Sequence, residues 1–269
     1  MPAFLQYDFF LRALLAGALV GLLAANLGVF VILRKMTFFS EAISHSSLTG
    51  IALGLLLGIN PLLGAIGFSI LIALGIASLA KRRTLSLDTL IGVFFSTALA
   101  LGVILIGKLK GYRVDLFGYL FGDILGVSRT DIYLIVALTV VTMVLLFFFF
   151  RVWAKIAFHG DLAAVEGIRV ALHDRLFLCV LALVIALGIK LVGAVLIGPL
   201  VIIPAATAKN LSWNLRSVFV LSSVIGVSAA LLGLVLSFYT STASGPTIVL
   251  VSAAAFGLSF LARSKTVRM

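Results

Sequence analysis

Arg216 and Arg263 enclose 46 consecutive residues without a charge. Such a run is far longer than the strand or helix of a soluble core, and about 20 apolar residues suffice for one bilayer crossing. The same fencing recurs along the chain. Arg12 and Arg34 enclose 21 uncharged residues, one crossing, and Asp131 and Arg151 enclose 19, another. Arg83 to Lys108 encloses 24, with Asp88 near the start. Lys35 to Lys81 encloses 45 with Glu41 as the only charge, and Asn60-Pro61 near its middle reads as a turn between two crossings. The last run is broken at residues 241–246, again giving two. With 63% hydrophobic and 11% charged residues, the chain has more apolar surface than one soluble core hides. It reads as an all-α, polytopic membrane bundle in the lipid bilayer, forming a single transmembrane domain over residues 1–269.

One run decides the number of crossings. Residues 176–208 hold Lys190 between Gly188 and Gly193 and fit one long tilted helix or two short ones, so the total is eight or nine. Lys and Arg accumulate on the cytoplasmic side. Nine crossings with the N-terminus outside put 14 basic residues inside and 6 outside, whereas a single crossing here gives 9 against 11. Odd parity and a cytoplasmic C-terminus follow. This topology also accounts for the net charge of +11 without nucleic acid. The first apolar run lacks the basic n-region of a cleaved signal and is long enough to span. The single cysteine, Cys179, lies in an apolar run and makes no disulfide framework.

Two segments read as lying outside the spans. Residues 109–130 mix aromatics, glycines and charges, as expected of an outer segment hugging the interface. Residues 152–175 form the longest cytoplasmic loop, and within it Asp161 starts, and Gly167 stops, a short helix. Glycines spaced by four (17/21, 50/54/58, 118/122/126) read as helix-packing ridges, with a subunit interface as the other use of such ridges. Lys190 reads as snorkelling to the outer interface.

Glu41 and His45 are the only ionisable side chains between Lys35 and Lys81. At i and i+4 they share a helix face. A carboxylate in a span normally meets a cavity or a partner. Carboxylate oxygen with imidazole nitrogen suits a first-row divalent ion, and mutual neutralisation of the pair is the alternative. Asp115 and Asp123 stand in the outer segment, where they either draw cations to an entrance or pair with Arg113, Lys108 or Lys110. His159 and His173, among charges, read as solvated. Gly102 to Lys108 mimics the start of a phosphate-binding loop, but Leu109 stands where Ser or Thr must hold Mg²⁺. The chain therefore reads as no enzyme, with its energy coming from a gradient or a partner.

Residues 33–45 (LRKMTFFSEAISH) resemble the "RRMS…D-A-L-S-H" segment of the zinc/manganese ABC-importer permease family. Leu191-Val192-Gly193-Ala194 through Pro204-Ala205-Ala206-Thr207-Ala208 is similar to that family's "VGALL…IIPAATA" signature, and Ser244-Gly245-Pro246 to the opening of its last span. Residues 113–123 resemble its zinc branch, the membrane subunit of high-affinity zinc uptake systems. The resemblance implies a homodimeric permease on two copies of a cytoplasmic ATPase, supplied by an extracytoplasmic metal-binding protein. In that reading ATP hydrolysis belongs to the separate subunit and no cofactor is permanently bound. Zinc, or manganese or iron, is cargo. It further implies that Glu41 and His45 line the metal path, and that Asp161, Ala163, Glu166 and Gly167 belong to a helix coupling to the ATPase. The family usually carries an Asp and a Pro before its last span, where this chain has Thr240-Ser241-Thr242-Ala243. It also often has Ala and Pro at the places of Ser46 and Thr49.

Overall fold

The computed structural model describes residues 7–80, 85–108, 116–124, 126–212 and 214–266, the side chains of 116, 117 and 262–266 apart. Lys81 to Arg83, Lys110, Arg113, Asp115 and Arg268 lie outside the described residues.

Apolar runs without water to bond their backbone can cross a bilayer only as helices or closed barrels, and here they are helices. In chain order they are α1 (Asp8–Leu33), α2 (Thr37–Leu56), α3 (Pro61–Ala80), α4 (Leu87–Lys108), the short α5 (Leu116–Phe121), α6 (Arg129–Val165), α7 (Val170–Val192), α8 (Ala194–Leu211), α9 (Leu215–Thr240) and α10 (Ser244–Thr266). Eight of them are long and apolar enough to cross a membrane. The remaining long helix, α2, has 20 residues but carries Glu41, His45 and six Ser or Thr residues. The ambiguous run at 176–208 is two helices. Gly193, at φ +94°, separates α7 from α8 in a backbone conformation that an L-residue with a side chain rarely adopts.

The bundle is arranged around α1, whose central span is mostly buried. Its Phe30 meets Phe150, Trp153, Phe177 and Phe219 edge-on at 5.1 to 6.1 Å between ring centres. Glycines set the close crossings. A Cβ on Gly21 would stand 2.6 Å from the Gly226 carbonyl of α9, and one on Gly50 would stand 2.8 Å from Cα of Ala65 on α3. Two of the expected ridges are thus used within the chain. Gly58 is different, because at φ +68° it makes the turn between α2 and α3.

Residues 118, 122 and 126 are not a helical ridge. Gly122, at φ +81°, ends α5 and abuts the backbone of Val192 and Gly193, while Gly126 lies in a turn. A four-residue spacing implies a common face only where a helix continues, and α5 has six residues.

The long loop expected at 152–175 is mostly helical. α6 continues through Arg151 and Lys155 as far as a kink at His159 (φ −145°, ψ 75°), and a short helical elbow follows to Val165. Gly167 (φ +83°) ends it as expected, and Ile168 N–H donates to the Ala163 carbonyl. Charges at Arg151 and Lys155 do not end a helix, because such side chains reach toward water from a helical backbone. Only residues 166–169 link the elbow to α7.

The glycine contacts predict a contrast. Gly50→Ala is expected to lower stability in detergent by about 1–3 kcal/mol through overpacking, whereas Gly67→Ala, which meets open space, is expected to leave it unchanged or slightly higher. Thermal unfolding of the purified variants measures both.

Candidate functional site: a polar helix inside the bundle

α2 places most of its polar side chains inward. Ser40, Ser44, Ser46, Ser47 and Thr49 are all buried. Hydroxyls tie the helix to its neighbours, the role that small polar residues play between membrane helices. Ser47 Oγ meets Ser69 Oγ of α3 at 2.5 Å, Thr49 Oγ1 donates to the Ala98 carbonyl of α4 at 2.7 Å, and Ser44 Oγ donates to the Ala194 carbonyl of α8. Ser46 and Ser47 also donate to carbonyls one turn back, at 2.6 and 2.9 Å.

Glu41 and His45 lie in this surrounding. The Glu41 carboxylate rests against Gly198 of α8, filling the space a side chain there would need. The His45 ring stands edge-on to Phe95 of α4, with ring centres 5.2 Å apart. Its Nδ1 is buried without a hydrogen-bond partner, and so is Ser40 Oγ one residue before Glu41. Buried polar atoms are rarely left so. Among the described residues no ion pair joins Glu41 to His45, which removes mutual neutralisation as the account of the pair. The Glu41 carboxylate and the His45 ring thus stand on one helix without an ion pair between them. No three of His, Cys, Asp and Glu come together among the described residues.

The remaining sequence candidates fall elsewhere. Asp123 is exposed, and its Oδ1 accepts from Gly126 N–H at 2.9 Å, so it closes its own turn. Asp115 is outside the described residues. Lys190 does not snorkel freely, because its Nζ donates to Asp131 Oδ1 at 2.6 Å. Asp131 in turn completes a capping box with Ser128 at the start of α6. On the elbow, Glu166 pairs with Lys155 at 2.6 Å, and Ala163 is buried. Residues 102–108 are regular helix in α4, and Gly102 faces Thr49, so they form no strand-to-helix phosphate loop.

Sequence reasoning missed Gly198 and Phe95. The signal for Gly198 was weak: a small residue before Pro199 in a helix that also holds Pro204. The missing side chain matters only once α8 is known to lie on α2.

Residues 6–263 match the ABC 3 transport family. The chain belongs to that family. Over 260 residues it is 36% identical to the high-affinity zinc uptake system membrane protein ZnuB of Haemophilus influenzae, covering 97% of this chain and 100% of that one. It is 38% identical to the manganese import system permease protein ScaB of Streptococcus parasanguinis over 260 residues, covering 97% and 92%. A solved structure of PsaBC from Streptococcus pneumoniae in complex with Fab superposes with a TM-score of 0.84 at 37% identity, covering 95% of this chain and 92% of that one. Family and bundle together make this chain a multi-pass membrane permease subunit.

The Glu41–Gly198 contact is testable by itself. Gly198→Ala is expected to destabilise the protein, and much less so when Glu41 is also Ala. The double-mutant cycle in thermal unfolding should give a coupling of about 1 kcal/mol or more.

Proposed function

We propose that this chain is the membrane permease of an ATP-driven importer of a divalent transition-metal ion, with zinc as the first cargo to test. The observation that carries the reading is the unpaired His45 Nδ1 beside Glu41 on a buried, hydroxyl-rich helix. ZnuB, a zinc-system protein by name, and ScaB, a manganese-system protein, are both similar to this chain, and oxygen with nitrogen suits both ions.

In this reading two copies of the chain, each a single transmembrane domain, face one another. One Glu41 and one His45 from each make a transient four-donor site. Two donors per copy suit passage, since a closed cage within one chain would retain its ion. Asp115 and Asp123 would draw cations toward the outer opening. An extracytoplasmic metal-binding protein delivers the ion, and two cytoplasmic ATPase subunits hydrolyse ATP, the permease itself catalysing nothing. The elbow around Asp161, Ala163, Glu166 and Gly167 docks into the ATPase.

Orientation follows from charge. Arg34 and Lys35 share a cavity with Gly160 and Ala80, and Lys209 shares another with Leu33 and Phe158. One end of the bundle thus gathers Arg34, Lys35 and Lys209, with Lys155 and Arg169 beside the elbow. By the positive-inside rule it is the cytoplasmic end. The N-terminus is then outside and the C-terminus in the cytoplasm of the cell whose plasma membrane holds the importer.

Uptake of labelled Zn²⁺, Mn²⁺ and Fe²⁺ into vesicles bearing the complete complex tests the function. His45→Ala is expected to lower uptake by about tenfold or more, the equivalent of at least roughly 1.4 kcal/mol of ion binding, while the complex still assembles. Undiminished uptake removes His45 from the path.

The elbow gives a separate test. Gly167→Asp forces a side chain into left-handed backbone at a cost of about 1–2 kcal/mol. Glu166→Arg sets two cations together where Lys155 now finds a carboxylate. Both are expected to weaken capture of the ATPase in a pull-down, and normal capture rejects this docking surface.

A further inference from the structure

The α1–α2 turn is bound to the start of α7 by an ion pair that no role has yet absorbed. Arg34 caps the C-terminus of α1, and its Nη1 donates to Asp174 Oδ1 at 2.9 Å. The guanidinium lies 4.5 Å from the centre of the Phe177 ring. Arg34 suits its place, a cation at the C-terminal end of a helix. The Arg34 side chain is only 8% exposed, yet its Nε and Nη2 are buried without hydrogen-bond partners. A pair retained for stability alone would satisfy these donors, since a desolvated guanidinium gains little from a single bond. The contact is under-bonded, as a contact that exchanges between two arrangements would be.

Its position gives it a use. Four residues, 166–169, separate the elbow from α7, and Asp174 follows on the first turns of that helix. On the other side, Arg34 enters α2 through a three-residue turn. There Lys35 is held at φ +54°, and Met36 N–H donates to the Val31 carbonyl at 3.0 Å. A turn so tight carries displacement of Arg34 into α2 rather than absorbing it. A cavity of about 620 Å³ opens between Met36, Ala80, Ala157, Gly160 and the ion pair, leaving room for the elbow and α7 to shift.

We propose that Arg34 and Asp174 are positioning residues that transmit movement of the elbow at 160–167 to α2, and so to Glu41 and His45. The inference rests on the permease reading above. Elbow and α2 are joined by no ion pair of their own among the described residues; the pair links the turn before α2 to the helix after the elbow.

The test uses the complete complex in vesicles, with metal uptake and ATP hydrolysis measured together. Asp174→Asn is expected to assemble and hydrolyse ATP while the ions moved per ATP fall at least about fivefold. The swap Arg34→Asp/Asp174→Arg is expected to recover part of that ratio. Where Asp174→Asn does not assemble, Arg34→Lys keeps the charge and should lower the ratio by a smaller factor. Uptake and hydrolysis falling in strict proportion, with the ratio unchanged, would overturn the proposal. A spin label at Phe38→Cys in a Cys179→Ser background supplies a readout independent of cargo. Nucleotide binding to the ATPase should shift the label in the otherwise unaltered chain and not in Asp174→Asn, and an equal shift in both also overturns the link. If the unaltered complex moves none of the three metals but the label behaves as expected, the cargo assignment fails and the link stands.

Discussion

Hydrocarbon offers no partner to a hydroxyl, a carboxylate or an imidazole, and this constraint organises the bundle. α2 holds five buried hydroxyl residues with Glu41 and His45, too polar a set to face lipid. It is therefore wrapped by α3, α4, α7 and α8. The wrapping succeeds because glycines permit close approach where the polar helix needs it, Gly50 against α3 and Gly198 against the Glu41 carboxylate. Apolar area contributes little to choosing among such arrangements, since lipid is as apolar as the helices themselves. Close packing and internal hydrogen bonds make the choice.

Those bonds also determine what can move. Ser44, Ser47 and Thr49 fasten one side of α2 to three different helices. In the N-terminal half, Ser44 alone makes such a tie, and Ser40 Oγ and His45 Nδ1 on either side of Glu41 are unsatisfied. A site that must release its ion benefits from this division. On the proposed reading its donors, Glu41 and His45, are half-buried, and the hydroxyl ties of Ser44, Ser47 and Thr49 keep them in register. On the proposed reading, affinity is low by construction because each chain offers two donors and closes no cage.

The spans were legible because charges are costly in hydrocarbon, so each gap between charges measured a crossing. The Glu41/His45 pair was legible for the same reason. Two crossings at 176–208 were favoured by the charge count, but the place of the break at Gly193 was not legible, since a glycine in an apolar run looks the same whether it packs two helices or turns the chain at positive φ. Lys190 misled because its partner, Asp131, lies 59 residues away. The elbow was readable from Asp161 and Gly167, but not the helical course of 152–158, which sequence charge had marked as loop. Gly198 and Asp174 depend on contacts between distant segments, which hydropathy does not carry.

On the proposed reading energy arrives mechanically from a separate ATPase, and the fold restricts where it can enter. The candidate phosphate loop is regular helix whose Gly102 is occupied in packing against Thr49. The α1–α2 turn at the basic end is short, three residues between two long helices. The elbow after His159 departs from this pattern, because its short helix carries the exposed Leu162 and Val165. An exposed apolar pair beside a charged strap, Lys155 to Glu166, suits a protein partner better than lipid or water. A force applied there reaches α7 within a few residues. From α7 contacts run inward through Phe177, edge-on to Phe30 and Trp153, through Asp174, which pairs with Arg34 in the turn leading to α2, and through the packing of α7 on α2 itself. The first route is closely packed and resists displacement. The second borders a cavity, so on the proposed reading movement of the elbow reaches α2 by way of Asp174 and Arg34.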